Sequence, residues 1–138
     1  MRSVVRLLSL PACLLATSMA LAGCGGGQVQ TDDAGFHADV TGNRAGQEVT
    51  FHATEVAPPR YVGDHEVLLV RASTGETVEV DYNTSLGPQV PAADGDHLVI
   101  QGVLYIDPGR VGVHCVHAHT SRGCPLPGFV ILKGQAYQ

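Results

Sequence analysis

The densest run of reactive side chains is Val113-His114-Cys115-Val116-His117-Ala118-His119, with Cys124 a short loop beyond it. Two thiols and two imidazoles, on Cys115, His117, His119 and Cys124, are the donor set of a tetrahedral zinc site, with copper as the softer alternative. Side chains alternate across a strand, so a strand here sets Cys115, His117 and His119 on one face and His114 on the other. Three ligands at alternate strand positions converge only if the strand twists, and the spacing is not that of a zinc finger. The competing chemistry is a Cys115–Cys124 disulfide, formed in an oxidising compartment, which would staple a small domain and contribute about 2–4 kcal/mol.

A second chemically marked cysteine lies near the start. Met1 to Arg6 carries two positive charges, and Leu7 to Ala22 is apolar except for a few small or polar residues. A basic start, an apolar middle and small residues before a cleavage point are the layout of an export signal, and the run is too short for a retained membrane span. Leu21-Ala22-Gly23-Cys24 matches a bacterial lipobox, in which the Cys24 sulfur receives a diacylglycerol before cleavage. Residues 1–23 are therefore expected to be a lipoprotein signal peptide. Acyl chains such as palmitate on Cys24 would hold the protein at a lipid membrane, each buried methylene contributing about 0.8 kcal/mol. Gly25 after the cysteine points to the outer membrane if the cell has two. With Cys13 discarded and Cys24 acylated, Cys115 and Cys124 remain as one even pair.

These groups need a scaffold. Residues 24–46 are rich in Gly, Gln, Asp and Ala without apolar periodicity and read as a flexible tether. Residues 47–138 suffice for one small domain with one core. The chain has 13 acidic and 8 basic residues. Removal of Arg2 and Arg6 leaves a net charge of −7 with histidines neutral. That charge and the absence of Trp argue against a nucleic-acid partner.

The domain reads as strands punctuated by turns. Val49, Phe51 and Ala53 alternate with polar residues from Glu48 to Ala57, and Pro58-Pro59 is expected to end that strand. His65 to Ala72 and Glu76 to Tyr82 form a hairpin about Ser73-Thr74-Gly75. His97 to Asp107 is a fourth strand whose midpoint, Gly102, suggests a bulge or bend. Val111 to His119 is a fifth and Phe129 to Leu132 a sixth. No stretch has ten residues of helical period. The expected architecture is all-β: a small OB-like barrel of five or six strands, with a small β-sandwich as the alternative.

From about Gln47 to Gln138 the chain resembles an uncharacterised family of small exported bacterial proteins, number 3465 among the domains of unknown function. The resemblance rests on His65, on Asn83-x-x-Leu86-x-Pro88-x-Val90-Pro91, and on Gly95-Asp96 ahead of Gly102 and Tyr105. It continues through Gly112-Val113-His114-x-x-His117, Gly128-Phe129-Val130 and Gly134-Gln135-x-Tyr137-Gln138. Two positions depart from the family pattern, both to cysteine: Cys115 replaces a Trp and Cys124 a His. A paired change of this kind is what a disulfide gained by one branch would look like. The resemblance names no activity but nominates His65, His114 and His117, with Asn83 as polar neighbour, as ligand-binding residues.

Three functions follow as expectations. The first is a lipid-anchored envelope module that binds a small ligand or an envelope protein through the face near those four residues, without a cofactor. The second is a metal-binding envelope protein holding zinc or copper. The third is a small hydrolase using a metal or a histidine pair, disfavoured because neither Gly-x-Ser-x-Gly nor His-Glu-x-x-His is present. No catalytic residue is assigned, and His37, His52 and His97 follow no pattern.

Overall fold

Buried and more exposed positions alternate along His65–Ala72, Thr77–Asn83, His97–Asp107 and the first half of the first strand in the computed structural model, which describes residues 28–138. The expected signal peptide and Cys24 lie outside the described residues. One helix, α1 (Asp33–Thr41), precedes β1 (Glu48–Val62), β2 (His65–Ala72), β3 (Thr77–Asn83), β4 (His97–Asp107), β5 (Arg110–His114), β6 (Phe129–Leu132) and β7 (Gln135–Tyr137).

Period-two patterning closes these strands into a ring. β1 pairs antiparallel with β2, and β2 with β3. The ring continues through a parallel β3–β5 pairing and an antiparallel β4–β5 pairing, and β4 returns to β1. This five-strand ring, in the order β1-β2-β3-β5-β4, is a small OB-like barrel. The inward positions fill it: Phe51, Leu68, Val70, Val78, Val80, Tyr82, Ile100, Leu104, Val113 and Val130 are all buried.

β5 and β6 lie along the same edge of β4. Residues 103–107 of β4 pair with β5, and residues 98–101 pair with β6. The chain from Cys115 to Gly128 is thus an excursion between two strands that share one neighbour. Gly102 sits at the handover, where a Cβ would press within 2.5 Å of the His114 carbonyl oxygen. Its role is close approach: the β1–β4 register runs unbroken from Glu48↔Val103 to Thr54↔His97, with no bulge at Gly102.

Four further expectations are corrected. β1 does not end at Pro58-Pro59 but continues to Val62, with register shifts between Glu55 and Ala57 and between Ala57 and Arg60. Proline cannot donate to the ladder, so the strand accommodates the pair by slipping register. β5 stops at His114, because Cys115 takes a left-handed φ of 59° and turns the chain out of the sheet. Part of the expected tether is ordered: Asp32 caps α1 by accepting from the Gly35 N–H, and Phe36 is buried with its ring stacked 4.1 Å from that of Phe51. A short β7 pairs with β6.

Candidate functional site

Outward positions on the barrel strands form a groove of about 610 Å³. β2 contributes His65 and Val67, β3 Glu79 and Asp81, β4 Tyr105 and Asp107, and β5 Arg110 and His114; Arg60 and Val62 of β1 complete the wall. Its floor depends on one glycine. Tyr105 is the register partner of Gly112, and any Cβ at Gly112 would collide with the Tyr105 ring. Without that side chain the ring lies against the sheet, its edge toward His114 at 5.9 Å between centroids and the Arg110 guanidinium 5.4 Å from its centre. Burial pushes the Tyr105 hydroxyl above its usual range, with Arg110 opposing the shift.

Charges in the groove are mostly paired. Arg60 meets Glu79 at 3.2 Å, while Arg110 reaches Glu79 at 3.6 Å and Asp107 at 2.5 Å. Exposed pairs like these add little stability, so their main effect is to set a polar rim. His65 donates Nδ1–H to Asp81 at 2.6 Å. In the neutral ring this leaves the lone pair on Nε2, which lies 3.5 Å from Asp64. An imidazole so oriented can accept a proton or a hydrogen bond from a ligand.

The second feature adjoins the first through His114. Cys115 and Cys124 form a disulfide with Cα atoms 5.3 Å apart. Such bonds form and persist in oxidising compartments outside the cytoplasm. The His114 Nδ1 lies 3.4 Å from the Cys115 sulfur. Among the described residues, His114, Cys115 and Cys124 are the one group of three metal-donor side chains whose ligand atoms fall within 4.8 Å of one another.

A third feature lies inside the barrel. Glu55 and Glu66 are completely buried at inward positions of β1 and β2. Glu66 is satisfied, accepting from the Tyr61 hydroxyl at 3.1 Å and from the Val90 N–H at 2.8 Å. Neither carboxyl oxygen of Glu55 has a hydrogen-bond partner. Burial pushes its pKa from the ordinary 4.5 to about 7, and the charges of Glu66, Asp94 and Asp96 add to the rise. Glu55 is therefore about half protonated near pH 7 and a neutral acid below it.

Of the four expected ligand-binding residues, His65 and His114 line the groove and the other two do not. Asn83 spends its side chain on its own turn, accepting from the Ser85 N–H and hydroxyl. His117 lies in the disulfide loop, 8% exposed, with its Nδ1 unpartnered and its carbonyl accepting from the Gly128 N–H. The expected metal set of Cys115, His117, His119 and Cys124 is not assembled. The two sulfurs are bonded to each other, and because the strand ends at His114 the alternation that would align His117 and His119 with Cys115 is lost. His119 is exposed.

Several groove residues escaped the reading of the sequence. Asp81 and Asp107 were legible as strand residues but not as neighbours. Arg60 was hidden because β1 was expected to end before it. Tyr105 and Arg110 carried no spacing signal, although Gly112 opposite Tyr105 is the kind of mid-strand glycine that marks close approach. Comparison with protein-family models, with curated proteins and with solved structures returns no match.

Proposed function

We propose that the protein is a cell-envelope lipoprotein, anchored through Cys24, whose barrel is a binding module for a small polar ligand. The observation that carries this reading is the groove formed by His65, Asp81, Tyr105 and His114. It uses the face of β2 and β3, the face through which OB-type barrels commonly bind, and its volume falls within the range of small-molecule sites. Its flat aromatic floor, oriented imidazole and carboxylate rim suit a compact ligand with both an apolar face and hydrogen-bonding groups. The lipobox and the disulfide support placement outside the cytoplasm. Kinship with family 3465 is part of the same proposal, supported by the motifs around His65, His114 and Gly128.

Two experiments test it. Metabolic labelling with a palmitate analogue is expected to mark the wild type and not Cys24→Ser; equal labelling of both would refute the anchor. Residues 28–138 titrated with a panel of sugars, amino sugars and short peptides are expected to show imidazole NMR shifts at His65 and His114. Shifts confined to residues outside the groove would refute the binding face.

One observation favours a second reading, metal binding with zinc or copper as the candidates. It is the grouping of His114, Cys115 and Cys124 within ligand reach of one another.

A further inference from the structure

We infer that the Cys115–Cys124 bond is a redox gate on a soft-metal site composed of His114 Nδ1, Cys115 Sγ and Cys124 Sγ, an inference that rests on the metal-binding reading above. Oxidised, the two sulfurs are bonded to each other and cannot act as thiolate ligands. Reduced, they form with His114 a two-thiolate, one-imidazole set, a combination suited to zinc, with the fourth position left to solvent or an exchangeable ligand.

The geometry already approximates that of a bound metal. Zinc bonds sulfur at about 2.3 Å and nitrogen at about 2.0–2.1 Å, which in a tetrahedron separates the two ligand atoms by roughly 3.5 Å. His114 Nδ1 and Cys115 Sγ stand 3.4 Å apart. The same tetrahedron asks the two sulfurs to part to about 3.8 Å, and the fold assigns that movement to one side. Cys115 is 3% exposed, at the end of a barrel strand. Cys124 is half-buried in a loop outside the regular elements, held by backbone contacts with Ser121. His114 and Cys115 thus already stand at ligand spacing, and the adjustment falls to Cys124 in the loop.

The step balances with a dithiol reductant. One reductant thiolate attacks Cys124 Sγ, the more accessible sulfur, and Cys115 leaves as a thiolate. The second reductant thiol then displaces Cys124, so the reductant ends as a disulfide and the chain carries two thiols. A divalent metal binding these thiols releases two protons. Reoxidation by a disulfide oxidant restores the Cys115–Cys124 bond and expels the metal. Because His114 also lines the groove, loading the site is expected to be felt there.

The test uses residues 28–138, which contain every core residue of the barrel. Oxidised protein, and protein reduced with an immobilised dithiol, are dialysed anaerobically against zinc and analysed for metal. The expected result is one zinc per reduced chain and none on the oxidised chain. Cys115→Ser and Cys124→Ser should abolish stoichiometric binding, and His114→Gln, which removes a ligand itself, should weaken it by more than about tenfold, the lower bound for losing even a ligand's outer partner. Zinc on the oxidised chain would overturn the gate while sparing the metal-binding reading. Zinc on neither form would end both. Binding unchanged in His114→Gln, or loss of sheet circular dichroism in the reduced chain, would show an unstructured thiol pair and overturn the proposal.

Discussion

Glu55 permits a test of the barrel interior that is independent of any ligand. Its carboxyl is completely buried without a hydrogen-bond partner, and burial raises its pKa from 4.5 to about 7. Below pH 4.5 the group is protonated in both folded and unfolded chains and contributes no pH dependence. Between 4.5 and 7 the unfolded chain ionises while the folded chain holds its proton, so stability falls as pH rises. Above about 7 the loss is complete, and at 1.36 kcal/mol per pH unit it amounts to about 3 kcal/mol. Glu55→Gln removes the ionisation and keeps the shape. Urea denaturation of residues 28–138, followed by circular dichroism from pH 4 to 8, should give wild-type and variant curves differing by a constant offset at pH 4. The variant should gain about 3 kcal/mol relative to wild type by pH 8, equivalent to roughly 10–20 °C in Tm. A difference between the two proteins that is the same at pH 4 and pH 8 would refute the assignment of a buried, protonated Glu55.

Three further predictions follow from packing. Cys115→Ser should lower stability by about 2–3 kcal/mol, the loop-closure contribution for a sequence separation of 9, measured as a lower urea midpoint under oxidising conditions. Phe36→Ala, which removes a ring stacked on Phe51, should cost about 3–5 kcal/mol, whereas a flexible tether would show no change. Gly112→Ala should cost about 1–3 kcal/mol and drive Tyr105 off the sheet, detected as Tyr105 ionisation moving down toward the usual value of 10.0.

The strands were legible because their signal is local. Val49, Phe51 and Ala53 on β1, and Leu98, Ile100 and Leu104 on β4, alternate with polar residues, and that period is read without knowing any partner. Glu55 falls on the same inward register as Phe51 and Ala53, so a buried carboxyl could have been found by extending the alternation two residues further. α1 was missed because it is short and buries one side chain, Phe36, whose contact with Phe51 is a tertiary event. The Pro58-Pro59 signal was sound as chemistry but was overridden by β2, which pairs with β1 on both sides of the prolines through shifts of register.

The groove marks the boundary between the two kinds of information. The sequence by itself determined an all-β chain of one small domain, an acidic balance, and a cysteine pair separated by a loop short enough to be bridged. It also marked His65 and His114 as residues to watch. Only the tertiary structure decided that His65 meets Asp81, that His114 meets both Tyr105 and the disulfide, and that Asn83 and His117 face other tasks. The reason is that a strand's own sequence sets which residues share a face, whereas the register between strands sets which faces adjoin. That register is chosen by the packing of the whole barrel, including the close approach at Gly102 and the turn of Cys115 out of the sheet.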